Sequence, residues 1–412
     1  MLRPTSHPVT SQPIQKSLFG MTISNIADDP SAANGWPTVP FSGCRLWSAH
    51  GTDVLAEPDS YSWAGLDRAV DFCLSQGKEV MYTFGNVPNW LNGAAASCGN
   101  AYCQSGKPPL NNQDWLNFVT ALVQRYKGKI KYYELWNEAC TYPYAWSGSV
   151  PQLMRLVKSE YAIIKQIDPD ALTISPSSGS IHGDISYFTQ LLQNGAGKYA
   201  DFIGIHGYTT AQYRANTMTR SPEAILQDLN AMRAAMDANG VGDKQFVDTE
   251  SSWNMCMDKT TGFCGSEDMQ AAFVAVRYVI YAMNGVHSYW WYAWDGDTEG
   301  DTFWGSLYHT NGRDAGNPHM TKAGVAYGQI QDWLVGNYPG GCTFPSPDTW
   351  SCAISRPDGY SGLIVWNASG SGTFTVPDPM TRERDLDGKE TTVIPGSTMS
   401  LSYKPVLLDK QP

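Results

Sequence analysis

Tyr132-Tyr133-Glu134-Leu135-Trp136-Asn137-Glu138 is the stretch on which the fold turns. Apolar and aromatic residues fill most of it, the texture of a strand buried inside a protein. Its far end carries an amide and a carboxylic acid, which a buried strand has no reason to do unless something polar waits there. Gln245-Phe246-Val247-Asp248-Thr249-Glu250 has the same design. Working outward from these two, strand-like runs stand at Leu18–Ile23, Cys44–Trp47, Glu79–Phe84, Leu172–Pro176, Phe202–His206 and Ser288–Ala293. With Tyr132–Trp136 and Gln245–Glu250 they make eight.

Amphipathic stretches alternate with these strands. The clearest sets Trp115, Phe118, Val119, Leu122, Val123 and Tyr126 along one helical face. Another opens with Ser221-Pro222-Glu223, a cap followed by proline in the first turn, and closes at Asn239-Gly240. Further helices are expected from Ala64 to Gln76, Pro151 to Ile167, Asp184 to Gln193 and Glu267 to Met283. The alternation predicts an α/β fold, a (β/α)8 TIM barrel. A doubly wound open sheet competes, but no Gly-x-Gly-x-x-Gly turn follows a strand. After Trp333 the helical periodicity gives way to short runs broken by Gly, Pro, Ser and Asp: Ser351–Arg356, Gly362–Asn367, Gly372–Val376, Thr391–Ile394, Met399–Tyr403 and Val406–Leu408. These predict a small C-terminal antiparallel β-sandwich. The expected division is residues 1–16 as an N-terminal segment that adds a strand to the sandwich or hangs loose, 17–335 as the barrel, and 336–412 as the sandwich.

With 412 residues, 42% of them apolar, the chain can bury a sizeable core. A net charge of −11, only 16% charged residues and no basic run exclude nucleic acid and anionic membrane surfaces as partners. No apolar run approaches the ~20 residues of a membrane span. The histidines form no metal motif and no phosphate-binding loop is present, so no metal and no cofactor are expected; oligomeric state is open. Nine cysteines include three locally spaced pairs, Cys98/Cys103, Cys256/Cys264 and Cys342/Cys352. Short loop disulfides are the economical reading, since nothing completes a tetrahedral zinc set. They imply an oxidising compartment, so a secreted or periplasmic protein, although no signal peptide opens this numbering. Cys44 and Cys73 are expected in core positions, and Cys140 has no identifiable partner.

Barrels of this kind build their sites at the C-terminal rim, where Glu138 and Glu250 would both emerge. A carboxylic acid facing a carboxylate is what cleavage of a glycosidic bond requires. Glu138 reads as the general acid/base. Asn137 beside it can orient a sugar hydroxyl, and the apolar ladder leading in places it where water is scarce, which raises a carboxyl pKa. Glu250 reads as the nucleophile and must stay ionised, so a cation is expected nearby. Arg45, alone in its strand and costly to bury unless paired, is the best supplier. His206, at the end of the sixth strand, and Tyr208, two residues on, are candidates for contacting substrate or nucleophile. Trp90 and Asn86 on the third loop, and Trp290, Trp291 and Trp294 on the eighth strand, are candidate sugar contacts; alternation lets only one face of that strand look inward. Trp146, Trp253 and Trp304, in loop-like segments, are further candidates for stacking on sugars. Asp295, Asp297, Glu299 and Asp301 read as a solvated loop in preference to a cation site. The plainer reading of any one strand-end Glu is a cap or an ion-pair partner; it is the pairing that argues for chemistry.

The set resembles the clan of retaining glycoside hydrolases built on the (β/α)8 barrel, whose acid/base follows Asn at the end of strand four and whose nucleophile ends strand seven. Asn137-Glu138 and Glu250 match that order. Within the clan the sequence is most similar to glycoside hydrolase family 39, which includes β-xylosidases, α-L-iduronidases and bacterial exopolysaccharide hydrolases, typically with a small β-sandwich beside the barrel. The likeness extends to Phe19-Gly20-Met21, Arg45-Leu46-Trp47, Tyr82-Thr83-Phe84-Gly85, Pro88-Asn89-Trp90, His206-Gly207-Tyr208 and Pro405-Val406-Leu407-Leu408. The resemblance implies double displacement on a plant or microbial polysaccharide or oligosaccharide. Ala139-Cys140 stands where relatives carry Pro, and Ser251-Ser252 follows the second Glu, departures that bear on which sugar is taken. The alternatives are a non-catalytic carbohydrate-binding barrel and a metal- or cofactor-dependent barrel enzyme.

Overall fold

The structure is a computed structural model describing residues 12–23, 36–46, 54–94, 105–139, 145–178, 185–209, 221–253, 266–294, 305–309 and 319–410. Eight parallel strands are present: β1 (Phe19–Thr22), β2 (Gly43–Leu46), β3 (Glu79–Thr83), β4 (Tyr132–Glu134), β5 (Leu172–Ile174), β6 (Ile203–Ile205), β7 (Phe246–Ser251) and β8 (Ser288–Trp291). They hydrogen-bond in the order β5-β4-β3-β2-β1-β8-β7-β6. A parallel bridge between Ile174 and Phe202 joins the two ends, so the sheet curls round on itself and hides its edges. All eight expected runs are strands, each within two residues of the expected bounds.

A helix follows every strand from β2 onward: α1 (Ala64–Ser75), α2 (Asn112–Arg125), α3 (Val150–Ile167), α4 (Ser186–Gln193), α5 (Ile225–Ala238), α6 (Glu267–Met283) and α7 (Lys322–Leu334). Local chemistry sets their starts. The Asn111 side chain caps α2, and Ser149 with Gln152 forms a reciprocal capping box on α3, with Pro151 in its first turn. Trp115, Phe118, Val119, Leu122 and Val123 are the buried face of α2, each worth roughly 1.5–3 kcal/mol against exposure. From Gln270 to Met283 every residue of α6 is buried. It is covered on one side by the barrel and on the other by α7 and the first strand of the C-terminal region.

Inside the barrel the side chains form layers. Met81, Tyr132, Ile174, Val247 and Trp290 make a separate apolar cluster. The Trp290 ring lies over Gly20 and Gly43, where an added methyl would overlap it. Trp290 is therefore part of the packing beneath the rim, 1% exposed. Trp146 and Trp253 are core residues too. The first packs edge-on to Trp136, with ring centroids 5.0 Å apart, and the second stacks on Phe273. A polar-looking neighbourhood in sequence thus did not make either a surface platform.

Beyond α7 the chain forms β9 (Tyr338–Thr343), β10 (Thr349–Ser355), β11 (Ser361–Asn367), β12 (Gly372–Thr375), β13 (Arg382–Arg384), β14 (Glu390–Thr392), β15 (Thr398–Leu401) and β16 (Val406–Asp409). Six of these make one antiparallel sheet in the order β9-β10-β11-β16-β13-β14, and β12 pairs with β15. Val365, Val376, Met380, Leu401 and Leu408 form their common apolar cluster. β9 and β13 were not legible because Tyr338–Thr343 is broken by Pro and Gly, and Arg-Glu-Arg has no apolar alternation. Ile14 exchanges backbone hydrogen bonds with Gly336 and Asn337; residues 1–11 lie outside the described residues. The Trp366 indole donates to Glu223 at 2.7 Å, tying this region to the start of α5. Cys342 and Cys352 are disulfide-bonded across β9 and β10. Cys44 and Cys73 are buried free thiols, and Cys98, Cys103, Cys140, Cys256 and Cys264 lie outside the described residues. No described helix is long and apolar enough to cross a membrane.

One core residue carries a pH signature. Glu160 on α3 is fully buried; the Trp115 indole donates to Oε1 at 2.7 Å and no described residue bonds Oε2. Burial pushes its pKa from an ordinary 4.5 to about 8, against the pull of that hydrogen bond. A raised carboxyl pKa means the fold holds a proton that the unfolded chain releases, so this contribution is complete below about 4.5 and is lost as pH rises towards 8. Glu160→Gln, which never ionises, is expected to melt increasingly above wild type as thermal scans move from pH 5 to pH 8, by a few kcal/mol at about pH 8. Parallel wild-type and variant curves would show that Glu160 is not held neutral.

Candidate active site

One pleat above the apolar layer the barrel interior turns polar. Period-two alternation that points Met81, Tyr132 and Val247 inward also points Thr83, Glu134 and Thr249 inward. These three meet: Glu134 accepts from Thr83 Oγ1 at 2.8 Å and from Thr249 Oγ1 at 2.7 Å. Arg45, on β2, completes the layer. Its Nη2 and Nε donate to Glu134 Oε2 at 3.0 and 3.2 Å, and Nη2 also reaches Asn137 Oδ1 at 2.7 Å. Its Nη1 donates to Glu250 Oε2 at 2.8 Å. Both Arg45 and Glu134 are fully buried. Burial opposes the charge on each, but the attraction between them prevails, holding Glu134 well below the usual carboxylate range and Arg45 firmly charged.

Glu250 is within β7, its side chain 9% exposed. Both of its oxygens accept a hydrogen bond, one from Arg45 and the other from the Tyr208 hydroxyl at 2.9 Å. Burial pushes its pKa upward; His206 and Arg45 pull it back, Glu138 adds to the rise, and the net direction is up. The two donors keep the ionised form competitive in a dry position. The Tyr208 phenol, raised by burial and by the carboxylates around it, stays protonated and donates.

Glu138 lies past the end of β4, in a turn held by its neighbours on both sides. Asn137 N–H donates to Phe84 O at 2.9 Å, Ala139 N–H to Ser177 O at 3.2 Å, and Glu138 N–H to Ser177 Oγ at 3.2 Å. These bonds hold Glu138 at φ 44°, a left-handed conformation that costs a non-glycine residue about 1–3 kcal/mol. His206 Nδ1 lies 2.9 Å from Glu138 Oε1, and no described residue bonds the other oxygen. The Glu138 side chain is 22% exposed. The expected drier setting for Glu138 is therefore reversed: Glu250 is the drier of the two, because it stays inside its strand while Glu138 is turned onto the rim.

His206 is fully buried among acids. Burial alone would discharge it, but Glu250, Glu134 and Glu138 outweigh that and lift its pKa to about 10. That shift favours the protonated ring, which has Nδ1 against Glu138 and Nε2 3.6 Å from Glu134. One oxygen of Glu138, one of Glu250 and a ring nitrogen of His206 lie within 4.8 Å of one another. Three such donors could hold a cation only with the imidazole neutral, whereas the acids around the ring favour its protonated form.

The structure thus brings Arg45, Asn137, Glu138, His206, Tyr208 and Glu250 together. It does not bring Trp290, which packs below. Trp294 is 1% exposed and stacks on Tyr308, ring centroids 5.3 Å apart. Trp291 points outward, its indole donating to Gly305 O. Trp90, half-buried, donates to Leu55 O at 3.3 Å. Trp304 and the acidic residues Asp295, Asp297, Glu299 and Asp301 lie outside the described residues. Glu134, Thr83, Thr249 and Ser177 were missed by sequence reasoning. A signal for Glu134 existed: it sits two residues from Tyr132 in an apolar run, hence on the same inward face.

No protein-family model matches the chain. A segment of 160 residues is 24% identical to a beta-xylosidase of Caldicellulosiruptor saccharolyticus, covering 37% of this chain and 32% of that one. The chain thus matches about a third of that relative's length. Among solved structures, a family 39 glycoside hydrolase from the gut symbiont Bacteroides cellulosilyticus WH2 aligns with a TM-score of 0.69 at 17% identity, over 97% of this chain and 82% of that one. A monomeric beta-xylosidase from Caulobacter crescentus CB15 aligns with a TM-score of 0.67 at 14% identity, over 98% and 97%. The catalytic domain of a family 30 xylanase C from Talaromyces cellulolyticus gives 0.61 at 13%, over 100% and 99%. The fold is the one these glycoside hydrolases share.

Removing one side of the buried pair is expected to be severe. Arg45→Met leaves Glu134 without its cation and should cost about 3–5 kcal/mol in urea unfolding at neutral pH. Adding Glu134→Gln should recover part of that loss; strictly additive effects of the two changes would mean that they do not act as a pair.

Proposed function

We propose that this chain is a retaining glycoside hydrolase acting by double displacement, with Glu138 as acid/base and Glu250 as nucleophile. The observation that carries the reading is the gap between them. Oxygens within 4.8 Å of each other suit the close spacing of retaining enzymes, about 5–5.5 Å between carboxyl groups, better than the roughly 6.5 Å or more of inverting ones. Their surroundings differ as the two roles demand. Glu250, gripped through both oxygens, presents a fixed and charge-balanced nucleophile. Glu138, wetter and bonded through one oxygen, has a second that no described residue bonds and that is available to exchange a proton.

In the first step a Glu250 oxygen bonds to the anomeric carbon as the glycosidic bond breaks, and the Glu138 proton goes to the departing oxygen. In the second, Glu138 takes a proton from water, whose oxygen bonds to the anomeric carbon and releases Glu250 as carboxylate. Arg45 and Tyr208 orient Glu250 throughout, and His206 holds Glu138. Asn137, fixed by Arg45, is placed to orient a sugar hydroxyl. The similarity to beta-xylosidases makes a xyloside-type oligosaccharide or polysaccharide the first substrate to try, with a microbial exopolysaccharide second. The two antiparallel sheets after α7 are read as a β-sandwich at 336–412 beside a barrel at 17–335, and the Cys342–Cys352 disulfide supports an exported protein.

Glu250→Ala is expected to lose activity on an aryl glycoside by several orders of magnitude, and added azide should return a glycosyl azide of inverted anomeric configuration. The wild type should release product with retained configuration by NMR, undiminished by a chelator. Wild-type turnover in Glu250→Ala would end the assignment, and release of no phenol from any aryl glycoside would favour a carbohydrate-binding barrel.

A further inference from the structure

A second buried polar cluster lies between the barrel wall and α6, and it touches neither Glu138 nor Glu250. Asp248, the strand neighbour that points outward from β7, accepts from the Ser251 and Tyr281 hydroxyls at 2.6 Å each and from the Gly207 N–H at 3.2 Å. Arg277, on α6 and fully buried, donates through Nη1 to the Gly207 carbonyl at 2.5 Å and to the Tyr281 hydroxyl at 3.0 Å. Its Nη2 donates to Thr209 Oγ1 at 3.0 Å. Both backbone groups of Gly207 are thus gripped from outside the barrel. The position has no room for a side chain: a Cβ would stand 2.6 Å from Asp248 Oδ2, 3.1 Å from Arg277 Nη1 and nearer still to the Tyr281 hydroxyl.

Gly207 separates His206 from Tyr208, and those two side chains hold Glu138 and Glu250 respectively. A rotation of this one residue would move both grips at once. Packing a helix against a strand does not require an ion there; apolar side chains of the same volume fill such a space at no desolvation cost. The buried arginine and aspartate do something that apolar residues could not, which is to bond both ends of one residue. We infer that Asp248, Arg277 and Tyr281 are positioning residues that fix the separation of the two catalytic carboxylates by clamping Gly207. The inference rests on the proposed function for its catalytic consequence, but the clamp itself is a statement about geometry.

The test uses the full chain carrying Tyr281→Phe or Arg277→Lys. The first removes one hydroxyl and keeps the ring; the second keeps the charge and loses the two-pronged grip. Circular dichroism and a thermal melt establish that each is folded, and Tyr281→Phe serves should Arg277→Lys not fold. Histidine-labelled NMR, with His206→Gln to assign the resonance among the seven histidines, then follows His206 through a pH titration. The expected result is a His206 midpoint moved by about half a unit or more, because the imidazole has shifted against its carboxylates. On an aryl glycoside that the wild type cleaves, kcat should fall about tenfold or more with KM within about twofold. A folded Tyr281→Phe with an unchanged His206 midpoint overturns the inference and reduces the cluster to packing. Should the wild type cleave no glycoside, the functional reading fails while the titration still decides the clamp.

Discussion

The Arg45 guanidinium lies fully buried in the barrel, between Glu134 and Glu250, and most of what surrounds it follows from keeping it there. A buried cation needs carboxylates close by. Glu134 supplies one, and Thr83 and Thr249 supply the hydroxyls that Glu134 in turn requires. What Arg45 has left over goes to Glu250 and to Asn137. The arginine therefore places a strand-seven acid and a strand-four amide relative to a single rigid plane. Glu134 does not reach the gap between the two proposed catalytic acids, yet without it the guanidinium has no reason to stay.

The barrel was legible because its strands are apolar runs bounded by polar rims, and that contrast survives in every one of the eight. The C-terminal sheets were legible only where short runs kept their alternation. Tyr338–Thr343 and Arg382–Arg384 pair through backbone hydrogen bonds, which are indifferent to side-chain pattern. At the site, Glu138, Glu250 and Arg45 could be read because each is a charged group where a strand should be apolar. Glu134 obeys the same rule, but the polar pair Asn137-Glu138 closing the same run is the more conspicuous signal. The tryptophans show the opposite failure. Trp146 and Trp253 stand beside polar residues in sequence and Trp290 stands in an aromatic strand, yet all three bury their rings, since a neighbour along the chain does not say which way an indole turns.

The two acids proposed for catalysis differ in exposure. Glu250 is held inside its strand, dry and doubly bonded; Glu138 is turned onto the rim by a left-handed residue and stays partly wet. A charged His206 lies between them and belongs to the field of both. Around the end of β6 and along β7 the inner side thus carries the proposed chemistry, while Gly207 and Asp248 carry the support. Alternation separates Asp248 from Thr249, and one extra residue on β7 opposite Tyr289–Trp291 lets Glu250 face inward after Thr249.

Trp290, seated over Gly20 and Gly43, also sets a floor. With Met81, Tyr132, Ile174 and Val247 it fills the barrel interior one pleat below Arg45 and Glu134, so the charged layer rests on packed apolar side chains. A side chain at Gly20 or Gly43 would have to displace that indole, so two glycines remote from either acid bear on how the guanidinium is seated.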